Sequence, residues 1–126
     1  MQMYTGFVTP KLQECKAFYT QYFGFEPVYE GDWFVMLKKG SNELGFLKPE
    51  MPGQHRLFQP AFTEGAWLSL EVEDVDAEYE RLSHAGAPIL TKPKTEDWGD
   101  RHFVLEDPNG MAVDVYMRVP VAQHEH

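Results

Sequence analysis

The sequence predicts an α+β chain of two tandem βαβββ modules, forming a cup-shaped mixed sheet with the helices outside. Three observations carry this expectation. The order strand–helix–strand–strand–strand reads twice along 126 residues. The second copy follows the first at an offset of about sixty residues, which marks an internal repeat. Apolar spacing switches between helical and strand periods at Gly- and Pro-bearing punctuation. The length is that of one ordinary domain and can bury one sizeable core without staples. The boundaries read as module 1 over 1–48, a connector over 49–65, module 2 over 66–118 and a tail over 119–126.

Module 1 opens with a short apolar stretch, Met3 to Val8. Thr9-Pro10 then reads as a helix start, with Thr as cap and Pro at the first helical position. Leu12, Cys15, Phe18, Tyr19, Tyr22 and Phe23 follow at spacings that make one helical stripe. Gly24 is a natural left-handed stop. Phe25–Tyr29, Trp33–Lys38 and Glu43–Lys48 read as strands, separated by Gly31-Asp32 and Gly40-Ser41-Asn42.

In the connector, Pro49, Pro52, Gly53 and Pro60 disfavour helix or strand. Leu57, Phe58 and Phe62 make it more apolar than a plain linker, so it is expected to line the cup or pack in a dimer interface.

Module 2 repeats the order. Ala66–Val72 is a strand, and Asp74 caps a helix carrying Val75, Tyr79 and Leu82 that ends at Gly86. Pro88–Lys92 reads as a short strand. Asp100–Glu106 and Met111–Met117 are two more, joined by the tight-turn signal Asp107-Pro108-Asn109-Gly110. The tail is expected to be loose.

Composition bounds the function. With 20 acids against 11 bases the net charge is −9. This argues against nucleic acid, whose affinity depends on Lys and Arg at phosphates, and against an anionic membrane surface. It favours neutral or cationic ligands. An aromatic content of 14% supplies large rings that can line a pocket. The lone cysteine, Cys15, excludes an intramolecular disulfide and a Cys-based metal site, and reads as helix packing. No signal-peptide pattern or membrane-length apolar run is visible, so the cytoplasm is the expected location.

The stretch Ala17 to Val28 (AFYTQYFGFEPV), its counterpart Val72 to Gly86 (VEDVDAEYERLSHAG) and Trp98 to Tyr116 (WGDRHFVLEDPNGMAVDVY) together resemble the glyoxalase/bleomycin-resistance (vicinal oxygen chelate) superfamily. The resemblance spans nearly the whole chain. It implies a divalent metal held by His, Gln or Glu from the first and last strand of each module. Those four positions fall at Tyr4, Gly45, Trp67 and Asp114, of which only Asp114 offers a usual oxygen ligand. The resemblance therefore points to metal-free members, which sequester antibiotic-like molecules as homodimers. No metal and no cofactor are expected, and no catalytic residue is assigned.

With Asp114 facing the cup, strand alternation places Ala112 and Tyr116 there too, and Val113, Val115 and Met117 on the core side. Trp67, Ser69 and Glu71 face the cup opposite Leu68, Leu70 and Val72. Tyr4, Gly6 and Val8 lie opposite Phe7, and Glu43, Gly45 and Leu47 opposite Leu44 and Phe46. The expected ligand-binding set is Tyr4, Trp67, Glu71, Trp98, Asp114 and Tyr116. Aromatic faces with carboxylates suit a planar, preferably cationic small molecule. Trp67 is a ligand platform, cup filling or interface packing, Trp98 a ligand contact or a structural rim residue in a turn, and His102 a base, a cup residue or an ordinary surface-strand histidine. His84 suits a helix end, and His124 and His126 in the tail suit adventitious metal. The alternative is a metal-dependent lyase, isomerase or dioxygenase with ligands such as Asp114, His102 and Glu71.

Overall fold

Strand periodicity and turn chemistry set the frame of each module. The computed structural model describes residues 1–120. Its elements are β1 (Thr5–Val8), α1 (Leu12–Phe23), β2 (Glu26–Glu30), β3 (Phe34–Lys39), β4 (Asn42–Leu47), β5 (Trp67–Glu71), α2 (Val75–His84), β6 (Lys94–Thr95), β7 (Asp100–Glu106) and β8 (Ala112–Arg118). The chain divides into two compact units, Met1–Glu64 and the segment from Gly65 onward. Each unit is one module with its own four-stranded mixed sheet, in the orders β1-β4-β3-β2 and β5-β8-β7-β6. In each sheet the outer strand that opens the module pairs in parallel with the strand that closes it. The remaining pairs are antiparallel.

In module 1 the stripe of α1 packs on one face of its sheet. Cys15 and Tyr19 are fully buried with Val35, Leu37 and Phe46. The Tyr19 and Phe46 rings stack at 5.7 Å between centroids. The helix starts later than Thr9-Pro10 suggests: its N-cap is Lys11, with no side-chain cap. Thr9 instead accepts the Lys11 N–H on its Oγ1 at 3.0 Å, a local turn that competes with the helix for the same residue. Gly24 ends α1 in the left-handed conformation, φ 70°.

In module 2 the fully buried residues are Val75, Leu82, Phe103, Leu105, Val113 and Val115, which places the core between α2 and its sheet. Asp74 caps α2 as expected, accepting the Ala77 N–H at 3.0 Å. The Asp107–Gly110 turn is held by the buried Asp107, whose Oδ1 accepts from Asn109 N–H at 2.8 Å and Met111 N–H at 3.0 Å. Gly110 supplies a φ of 77°.

One expected strand is corrected. Pro88–Lys92 is not a strand: only the bridge Ile89↔Leu105 forms there, and the edge strand is Lys94–Thr95. Pro88 and Pro93 flank the segment, and a proline has no N–H to give a ladder. The connector holds one 3-10 turn, Arg56–Phe58, capped by His55. Phe62 anchors it to module 1, packing edge-on to Phe7 at 5.4 Å, with its N–H on the Val8 carbonyl. His124 and His126 lie outside the described residues.

Candidate functional site

The pleat determines which side chains of module 2 turn away from α2. Register pairs Trp67 with Ala112, Ser69 with Asp114 and Glu71 with Tyr116. On the other side of β8, Tyr116 pairs with His102 and Asp114 with Val104. The face opposite the core thus carries Trp67, Ser69, Glu71, Asp114, Tyr116 and His102, the diagonal neighbour of Asp114. Five of the six expected ligand-binding residues belong to module 2, and four of them stand on this face.

His102 is the hub. Its Nδ1 lies 2.6 Å from Asp114 Oδ1 and its Nε2 2.8 Å from Glu96 Oε2. Ionised carboxylates only accept, so both contacts are hydrogen bonds only when the imidazole carries both protons. Burial of the ring opposes that charge. The hydrogen bonds and the negative charge of Glu96 and Asp114 outweigh it, and the histidine is held above its usual value of 6.5. The hydrogen bond from His102, helped by Lys94 at 3.4 Å, holds Glu96 below the usual glutamate range. The three side chains are about four-fifths covered, with exposures of 20%, 18% and 20% for His102, Glu96 and Asp114.

Aromatic groups flank this cluster. Trp67 donates its Nε1–H to Ser69 Oγ at 3.0 Å, and Ser69 Oγ lies 3.5 Å from Asp114 Oδ2. Trp98 donates to Asp100 Oδ2 at 3.2 Å and sits edge-on to His102, 6.3 Å between ring centroids. Trp67 and Trp98 remain 67% and 65% exposed, each with its indole N–H engaged. Tyr116 donates to Glu71 Oε1 at 3.3 Å, and the Arg118 guanidinium lies 5.5 Å from the Tyr116 ring centre.

Tyr4 belongs to module 1. It lines a cavity of about 290 Å³ with Phe34, Leu47 and Phe58, over a floor of Gly6 and Gly45. Gly6 and Gly45 are direct partners across β1 and β4. Phe58, from the connector, also lines this cavity.

His102 and Tyr116 each engage one carboxylate oxygen, of Asp114 and Glu71 respectively. His102 is not an ordinary surface histidine, since both ring nitrogens are engaged. Glu96 escaped notice because it lies in the turn between β6 and β7, where alternation says nothing. The other singled-out groups take structural places. Cys15 is buried in the module 1 core, and the Nδ1 of His84 lies 2.7 Å from the Glu80 carbonyl in the last turn of α2.

The four positions implied for a divalent metal do not suit one. Gly45 has no side chain, and the one heteroatom of the Trp67 ring is an N–H that already donates to Ser69. Tyr4 offers a phenol, not one of the His, Gln or Glu donors that the resemblance implies. Asp114 is bound to His102. Among the described residues, no three His, Cys, Asp or Glu side chains are arranged to hold a metal ion.

The chain belongs to the glyoxalase/bleomycin resistance protein/dioxygenase superfamily, whose family model matches residues 3–115. Over its full length it is similar to the crystal structure of a glyoxalase/bleomycin resistance protein/dioxygenase from Nocardioides, with a TM-score of 0.78, 18% identity and 89% of that chain covered. It is also similar to lactoylglutathione lyase from Agrobacterium tumefaciens, with a TM-score of 0.75, 20% identity, and coverage of 91% of this chain and 92% of that one. At these identities the likeness is one of fold. Among curated proteins, the uncharacterized protein Mb0911c of Mycobacterium bovis is 44% identical over 43 residues, which is 34% of this chain and 28% of that protein. The match thus spans little more than a quarter of that relative. Among the described residues no helix is long and apolar enough to cross a membrane.

Proposed function

We propose that the protein binds a small organic molecule, planar and preferably cationic, on the aromatic face of module 2, and needs no divalent metal to hold it. The observation that carries this reading is the pair Trp67 and Trp98. Both rings are tied down by their N–H groups, stand on either side of the Asp114–His102 pair, and keep about two-thirds of their surface open. Large rings fixed in orientation and left exposed are a feature of binding surfaces. Each cation–π contact would contribute about 0.5–2 kcal/mol. A net charge of −9 favours a cationic ligand over an anionic one. The second oxygen of Glu71 can accept from an amine, as can Asp114 Oδ2 beside its 3.5 Å contact with Ser69 Oγ. Sequestration of an antibiotic-like compound by a cytoplasmic homodimer belongs to the same reading.

Titration with proflavine, a planar organic cation, tests it. The reading expects saturable quenching of tryptophan fluorescence and a rise in melting temperature, with affinity reduced at least fivefold by Trp67→Ala or Trp98→Ala. No quenching and no thermal shift, there or with other cationic aromatics, would sink it.

A further inference from the structure

Module 1 carries a second cavity, of about 330 Å³, at the outer edge of its sheet, where β2 and β3 meet the end of α1. That size lies within the range for small-molecule pockets, about 300–1,000 Å³. Glu26, Val28, Lys38 and Lys39 line it beside Gly24 and Gly40. It shares no residue with the cavity at Tyr4. Two adjacent cations set it apart in a chain whose net charge is −9.

Lys39 is held in place. Its ammonium donates to the Phe23 carbonyl at 2.7 Å, where a cation suits the end of a helix. Gly24 leaves room for it, since a Cβ there would lie 3.3 Å from the Lys39 Nζ. An ammonium has donors to spare after one such bond. Glu26 and Lys38 are direct partners across β2 and β3. Opposite charges so placed ordinarily pair. These do not: among the described residues neither side chain has a hydrogen bond or an ion pair. Both border the cavity instead. The strand also departs from regular pairing here. Register slips between Pro27 and Tyr29, so Val28 has no partner on β3. Such a bulge re-aims a side chain, and Val28 borders the cavity. Proline and charge on an edge strand also guard against edge-to-edge pairing. That role accounts for Pro27 but does not require Glu26 and Lys38 to stand apart.

An anion alone would meet Glu26, and a cation alone would meet the two lysines. The pattern suits a molecule that carries both signs close together. We propose that this corner of module 1 binds a free α-amino acid, its carboxylate taken by Lys38 and Lys39, its ammonium by Glu26 and its side chain laid on Val28. Val28 is 56% exposed, so an apolar ligand side chain has surface there to cover. The site uses none of the residues of the module 2 reading and goes beyond it.

The test is titration of the full chain with L-leucine, followed by nitrogen–proton correlation spectra of the backbone amides. The expected result is saturable shifts centred on Gly24, Glu26, Val28, Lys38, Lys39 and Gly40. L-leucinamide lacks the carboxylate and N-acetyl-L-leucine lacks the ammonium, and each should bind at least tenfold more weakly. Glu26→Gln and Lys38→Gln should each weaken L-leucine at least fivefold, while Trp67→Ala and Trp98→Ala should change it less than twofold. Glu26 and Lys38 are exposed strand positions, and the spectra themselves report whether each variant keeps the fold. The comparison of L-leucine with its two single-charge analogues needs no variant and decides the matter should one fail to fold. Absence of saturable shifts overturns the proposal, as do single-charge analogues equal to L-leucine or affinity unchanged in either folded variant. Shifts confined to the Trp67 and Trp98 face would also overturn it, while leaving the module 2 reading intact.

Discussion

At the scale of single residues, His102 carries the clearest consequence. Its folded value is raised above 6.5, so its stabilising effect is fully present below that pH and is lost as pH rises through the folded value. Glu96 has the opposite sign: its value is lowered from 4.5, so its contribution is present above that pH and fades as pH falls through the folded value. The cluster therefore contributes most at mildly acidic pH. His102→Asn should cost about 1.5–3 kcal/mol there, the scale of hydrogen bonds to charged groups. Urea unfolding of both proteins across the pH range should show the difference shrinking as the solution becomes alkaline. Part of this site was legible. Alternation along β8 and β5 placed Asp114, Tyr116, Trp67 and Glu71 on one face, because the period of a strand is two wherever one face is buried. The bond from His102 to Glu96 was not legible, since a turn residue has no period and its reach depends on the path of the loop.

At the scale of elements, local chemistry set boundaries where a single side chain could close a turn. Asp74 and Gly24 were readable for that reason. The start of α1 was not, because Thr9 turned the chain before the helix instead of capping it. Pro88–Lys92 failed as a strand because prolines at its start and just past its end cut the ladder short, and the Leu90 and Thr91 N–H groups between them both turn to the one Val104 carbonyl. Two substitutions measure these contributions. Asp74→Ala should lower stability by about 1 kcal/mol, the value of an N-cap. Asp107→Ala should cost about 1–3 kcal/mol, since it leaves the Met111 N–H, satisfied inside the β7–β8 turn, without its acceptor. Urea titrations followed by circular dichroism read both. A loss of under 0.5 kcal/mol for Asp107→Ala, about the scale of an ordinary surface substitution, would mean that the turn is held by its backbone alone.

At the scale of the whole molecule, the repeat was the most legible feature, because each βαβββ unit buries its own apolar face between one helix and one sheet. The two modules then diverge in chemistry. Module 1 presents rings over bare backbone, and module 2 presents hydrogen-bonded charge flanked by indoles. That contrast follows from a few positions: Gly6 and Gly45 in one sheet, Ser69, His102 and Asp114 in the other. Tyr4, Gly45 and Trp67 separate the chain from the metal-binding pattern that its resemblance to the superfamily implies. The central claim is that this member holds organic ligands without a divalent ion. Elemental mass spectrometry of the purified protein, before and after incubation with excess nickel, zinc, manganese and iron(II), tests it most directly. The account expects substoichiometric metal that Asp114→Ala leaves unchanged, and a melting temperature indifferent to chelator. One tightly held metal per chain, lost on Asp114→Ala, would contradict it and make a metal-dependent lyase, isomerase or dioxygenase the better reading.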